Sequence, residues 1–155
     1  MSRKTLLILV SILLCASAAM AKSFTPKANT HAEIKAYVQR AAAHIAKHGP
    51  DCAAFKTKEW MSGDYYIFVT GPDERELCHP IDAMIGKPAS DVVDSKGAHV
   101  GTALINAAKK GGGWVDYTWP RPGTTTPVKK SSYSMSVKGP DGKTYYVGSG
   151  GYELK

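Results

Sequence analysis

Apolar residues recur at helical spacing from Thr30 to His48. Ile34, Tyr37, Val38, Ala41, Ala42 and Ile45 form one stripe, with polar and charged residues between them. Thr30, followed three residues on by Glu33, makes a capping box. Gly49-Pro50 stops the helix, because glycine takes the left-handed cap conformation without penalty. A second short helical piece is expected over Cys52 to Phe55.

The period then changes. Tyr65 to Thr70 is dense in aromatic and β-branched residues, and Gly71-Pro72-Asp73 turns the chain toward a short partner strand, Leu77 to His79. The stretch from Ile81 to Ser95 is irregular, punctuated by Gly86 and Pro88. Helical spacing returns from Ala98 to Lys110 through Val100, Leu104 and Ala107-Ala108, and Gly111-Gly112-Gly113 ends it. Trp114 to Trp119 alternates, with Val115, Tyr117 and Trp119 on one face. Ser132 to Lys138 also alternates, with Tyr133, Met135 and Val137 on its apolar side. Gly139-Pro140-Asp141-Gly142 is a strong hairpin turn. Tyr145 to Tyr152 closes the pattern, and its glycines 148, 150 and 151 predict a bulge or a close backbone approach. A long helix followed by about five strands in hairpins, with one inserted helix, predicts an α+β domain with an antiparallel sheet. The amino-terminal helix covers one sheet face; the irregular 80–97 segment and the second helix enclose a cavity on the other.

The start of the chain sets its destination. Arg3 and Lys4, the apolar run Leu6 to Leu14 and the small-x-small site Ala19-Met20-Ala21 read as a secretory signal peptide over residues 1–21. The run is too short to span a bilayer. Cys15 follows the bulky Leu14, where lipid attachment needs a small residue, so cleavage before Lys22 is expected instead. Residues 22–155, roughly 130, suit one domain with its own core. The location is then periplasmic or secreted.

The chain carries 20 basic and 13 acidic residues, two of the basic ones in the leader. Lys109-Lys110 and Lys129-Lys130 are scattered pairs rather than a stripe, which argues against nucleic acid. Cys52 and Cys78 outlast cleavage, and in an oxidising compartment a single disulfide is the natural expectation. It would close a loop of about 26 residues, contributing roughly 3–4 kcal/mol in the chain-entropy model. The competing expectation, a thiol pair at a metal or redox centre, lacks a Cys-x-x-Cys spacing.

Several segments together resemble a known family. They are Tyr66-Ile67-Phe68-Val69, Cys78-His79-Pro80, Ile85-Gly86-Lys87, Asp91 with Asp94-Ser95-Lys96-Gly97, Gly113-Trp114-Val115-Asp116-Tyr117-Thr118-Trp119-Pro120, Lys130-Ser131-Ser132-Tyr133 and Val147-Gly148-Ser149-Gly150-Gly151-Tyr152. In this order they look like a single Cache domain of the second type, an extracytoplasmic sensor module related to PAS folds. The resemblance implies a long amino-terminal helix on a five-stranded antiparallel PAS-like sheet. It also implies sensing of a short organic acid such as acetate, propionate, lactate or pyruvate. Family members commonly sit between transmembrane helices of chemoreceptors and histidine kinases. This sequence shows neither flanking helix nor output domain. The expectation is a soluble periplasmic module that hands its ligand state to a membrane receptor or histidine kinase.

The candidate ligand contacts are Tyr66, His79, Tyr117, Trp119, Lys130 and Tyr133. A short carboxylate needs a few fixed donors and an apolar wall. His79 is held by Pro80 and either donates into the cavity or pins the following loop. Tyr117 and Trp119 are either cavity wall or core. Lys130 matches the family's lysine, and a charge-assisted bond from it is worth about 1.5–3 kcal/mol. A one-residue register slip would present Lys129 instead. Asp94 with Gly97 reads as a turn.

His44 and His48, four residues apart, are spaced to chelate a metal, but no carboxylate or thiol is placed to complete the shell, so no metal and no cofactor are expected. An enzyme is disfavoured: Gly-x-Ser-x-Gly and His-Glu-x-x-His are absent, and Gly142-Lys143-Thr144 lacks the upstream glycine of a phosphate loop. His79 with Asp116 has no nucleophile beside it. The remaining alternative is an interaction subunit with a side-chain-filled pocket. The assembly is a monomer, or a homodimer through the long helix.

Overall fold

The structure is a computed structural model and describes residues 23–154. The expected leader, with its cleavage site and Cys15, lies outside the described residues. Among the described residues, no helix is long and apolar enough to cross a membrane.

Helix α1 spans His31–His48 and buries the six stripe residues read from the sequence. Thr30 is its N-cap, its side chain accepting from the Glu33 N–H at 3.3 Å. Only half of the capping box forms. The Glu33 carboxylate accepts from the Lys27 N–H instead, while the Thr30 N–H bonds to the Ala28 carbonyl. Gly49 closes the helix at φ 79°, its N–H donating to the Ile45 carbonyl. Helix α2, Cys52–Phe55, is capped by the Asp51 carboxylate.

Five strands follow: β1 Phe68–Thr70, β2 Glu76–Cys78, β3 Gly113–Pro120, β4 Pro127–Lys138 and β5 Thr144–Tyr152. They form one antiparallel sheet in the order β2-β1-β5-β4-β3. The paired part of β1 is shorter than its aromatic pattern predicts, beginning at Phe68 rather than Tyr65. Strand β4 begins five residues earlier than expected, because β3 runs on to Pro120 and pairs with Pro127. The glycines of β5 mark close approach rather than a bulge: its register with β4 is unbroken. A Cβ on Gly148 would lie 2.4 Å from the Phe68 ring, and one on Gly150 would lie 2.1 Å from Ser132 Oγ.

Helix α3, Val100–Lys109, lies across β3 and β4, while α1 lies across β4 and β5. The alternation of β1 sorts its side chains between the two layers. Ile67 and Val69 join α1, Tyr133, Tyr145 and Val147 in the larger core. Tyr66 and Phe68 join Met84, Val92, Val100 and Leu104 in the smaller one. The 80–97 segment, including two single-turn 3-10 helices at Asp82–Met84 and Ala89–Asp91, closes over that second face. Gly101 lets α3 approach it, since a Cβ there would lie 2.3 Å from the Ala89 carbonyl oxygen.

Cys52 and Cys78 are joined in a disulfide with Cα atoms 5.1 Å apart, tying α2 to β2. The ladder shifts register between Val69 and Thr70, which pair with Cys78 and Glu76, leaving Leu77 as the extra residue. That bulge breaks the strict alternation of β2. Cys78 faces the α1 core while Glu76 faces the opposite side.

Candidate functional site

Between the sheet and the 80–97 segment lies a cavity with a free volume of about 30 Å³, room for one or two waters. Its apolar wall comes from Phe68, Met84, Val92, Val100 and Leu104; its polar groups belong to Tyr66, Thr70, Glu76, His79, Tyr117 and Trp119. Four of the six residues expected at a ligand site therefore line one cavity.

His79 pins the following loop and also lines the cavity. Its Nδ1 accepts from the Ile81 N–H at 3.0 Å, pinning the loop, which leaves the ring proton on Nε2 as a donor. The ring packs edge-on to Tyr66, with centroids 5.3 Å apart, and lines the cavity. Burial, reinforced by the nearby Lys130 charge, pushes its pKa down to about 4, so at neutral pH the imidazole is uncharged.

Lys130, and not Lys129, points inward. It is 3% exposed, whereas Lys129 is exposed. Its Nζ donates to the Tyr66 hydroxyl at 2.7 Å and to the Tyr152 hydroxyl at 3.5 Å, and sits 4.2 and 4.8 Å from those two ring centres. No salt bridge to Lys130 occurs among the described residues. Burial without a paired carboxylate drives its pKa down to about 7, opposed in part by Asp64. Asp64 itself is paired with Arg121. Lys130 stands behind Tyr66 rather than in the cavity wall. Tyr66 accepts from the lysine, and burial together with a hydrogen bond to Tyr152 holds its pKa well above 10, so the phenol stays protonated.

Tyr117 and Trp119 share a face, as their alternation requires, with rings 6.0 Å apart. Tyr117 is hydrogen-bonded to Ser132 at 2.8 Å. Both are at once wall and core, packing against the smaller cluster.

Tyr133 does not join them. It lies on the opposite face of β4 from Lys130 and Ser132, packed in the α1 core against Trp114. The two-residue period of a strand places Lys130 and Tyr133, three apart, on opposite sides.

Asp94 makes the expected turn, its Oδ1 accepting from the Lys96 and Ala98 N–H groups at 2.8 and 2.9 Å. Its Oδ2 accepts from the N–H and hydroxyl of Thr118 at 3.1 and 3.0 Å, anchoring the covering segment to the exposed edge of β3. These hydrogen bonds hold the carboxyl down at about 2.

Three residues escaped the sequence reading. Tyr152 shares Lys130 with Tyr66 and donates to the Pro120 carbonyl at 2.6 Å. Glu76 and Thr70 line the cavity from paired positions on β2 and β1. Only the strand parity of Tyr152 with Gly148 and Gly150 could have signalled it; Glu76 was hidden by the bulge. His44 and His48 have rings 4.8 Å apart, but no group of three or more potential metal-ligating residues occurs among the described residues.

The family model for Single Cache domain 2 matches residues 3–153. Solved structures of similar fold include a periplasmic sensor domain of a chemotaxis protein, 27% identical, with TM-score 0.59, covering 79% of this chain and 94% of that one. A Cache chemosensory domain described for carboxylic acid recognition is 28% identical, with TM-score 0.53 and coverage of 77% and 73%. A methyl-accepting chemotaxis protein from Vibrio parahaemolyticus shares the fold at 24% identity, TM-score 0.61, over 78% and 86% of the two chains. A match over almost the whole length, on a five-stranded sheet with a cavity under its second face, means that this chain belongs to the Single Cache domain 2 family.

Proposed function

We propose that residues 22–155 form an exported sensor module that binds a short organic acid of the acetate, propionate, lactate or pyruvate class and passes its ligand state to a membrane receptor or histidine kinase. The observation that carries this is Lys130: a buried ammonium with two tyrosine hydroxyls around it and no ion-paired carboxylate among the described residues. A buried cation without a counter-ion is costly. A ligand carboxylate held by the Tyr66 hydroxyl and the Nε2–H of His79 would supply the missing charge, relayed through Tyr66. The apolar wall suits a short alkyl chain, and likeness to a domain described for carboxylic acid recognition supports the same class. Likeness to a periplasmic sensor domain and the leader-like start support export and a sensing rather than a catalytic role. A six-heavy-atom acid gains at most about 9 kcal/mol, which corresponds to a dissociation constant of about 0.3 μM or weaker.

The small free volume favours a second reading, an interaction subunit whose cavity is already filled by side chains. In the sensor reading the acid takes up this space and pushes back Met84, an unbranched side chain on a single-turn helix. Thermal unfolding against a panel of C2–C4 carboxylates separates the two. A sensor gains about 2.7 kcal/mol at 100 times the dissociation constant; a filled subunit responds to none of them.

A further inference from the structure

Glu76 is an acidic residue in a wall that otherwise offers donors to an anion. It is 8% exposed, it lines the cavity, and its Oε1 has no hydrogen-bond partner among the described residues. The bulge at Leu77 turns it inward, beside Thr70 on the neighbouring strand. His79 follows three residues later, at most about 10 Å along an extended chain, so the cavity has two polar poles. One is Tyr66 and His79, backed by Lys130; the other is Thr70 and Glu76.

We propose that Glu76 is a specificity-determining contact that makes the cavity select a short 2-hydroxy acid over the unsubstituted acid of the same length. This rests on the reading that the cavity binds a short carboxylate. With the ligand carboxylate at the Tyr66–His79 pole, a 2-hydroxyl would be the ligand's remaining polar group to face Glu76, which lines the same cavity. A carboxylic acid group both donates and accepts, as does a hydroxyl, so the pair satisfies the orphaned oxygen without placing a charge there. Burial supports the uncharged form, raising the Glu76 pKa to about 8. An ammonium in the same place would demand the ionised form and its desolvation. An unsubstituted acid leaves the buried oxygen unpaired.

Calorimetric titration of the intact protein at pH 7 with L- and D-lactate, propionate and alanine tests this, alongside Glu76→Gln and Glu76→Met. One lactate enantiomer is expected to bind the unaltered protein about tenfold or more tighter than propionate. Glu76→Gln, which still donates and accepts, keeps the preference. Glu76→Met loses it while still binding propionate. Equal binding of lactate and propionate, retained preference in Glu76→Met, or alanine binding more tightly than lactate would overturn the inference and leave the carboxylate site standing. Binding of none of the acids would overturn both.

Discussion

The Lys130 ammonium donates to the Tyr66 hydroxyl at 2.7 Å while lying 4.2 Å from the centre of the same ring. Tyr66 thus holds the buried charge and also forms part of the cavity wall. Any anion that reaches the Tyr66 hydroxyl feels Lys130 behind it, in surroundings that screen the interaction weakly.

That arrangement ties affinity to pH. The Lys130 pKa of about 7 means that the ammonium loses its proton just above neutrality. Carboxylate affinity is expected to fall by up to about tenfold per pH unit between pH 7 and 9, measured calorimetrically. Glu76, whose carboxyl ionises near pH 8, adds to the fall, so the Lys130 share is read from the slope that remains in Glu76→Gln.

His79 combines a structural bond and a donor on different ring atoms, so they can be separated. In His79→Asn the side-chain oxygen can still accept from the Ile81 N–H, but nothing replaces the Nε2 donor. This variant should keep its melting temperature and lose roughly tenfold in acid affinity. His79→Ala should lose the affinity and also about 1 kcal/mol of stability.

Glu76 should leave its mark on stability. Its folded pKa of about 8 lies above its ordinary 4.5, so the folded state holds the proton more tightly. The stability it contributes is fully present below pH 4.5 and is lost as pH rises through 8. His79 has the opposite sign between pH 4 and 6.5, because its folded pKa is lowered from 6.5. The clean quantity is therefore the difference between the unaltered protein and Glu76→Gln in denaturant melts. That difference should shrink with rising pH, at up to about 1.4 kcal/mol per unit.

The Cys52–Cys78 bond spans 26 residues and fixes β2, which carries Glu76 and leads directly into His79. Replacing both cysteines by alanine should cost about 3 kcal/mol in the chain-entropy model. Denaturant unfolding of the double variant against the oxidised protein measures it.

Much of this was written in the periodicity. The α1 stripe named all six buried positions, because an isolated amphipathic helix has only one face to bury. The face shared by Tyr117 and Trp119 followed from strand alternation, and the turn at Asp94 from the turn chemistry of aspartate and glycine. Tyr133 was misassigned for a related reason. Lys130 and Tyr133 are both on β4, but residues three apart on a strand face opposite sides. Glu76 was illegible because a bulge is a pairing event between two strands, invisible in the pattern of either. The cage around Lys130 was hidden because Tyr152 reaches it only through the register of β4 with β5.

The most direct test is a calorimetric titration at pH 6.5 of the unaltered protein and Lys130→Met with the C2–C4 acid panel. Exchanging a buried unpaired cation for an apolar side chain of similar length should leave the fold intact or slightly more stable, so a lost response can be read as lost recognition. Binding of at least one acid by the unaltered protein, absent in Lys130→Met, is the predicted result. Undiminished binding by Lys130→Met, or no binding by either protein, would contradict it.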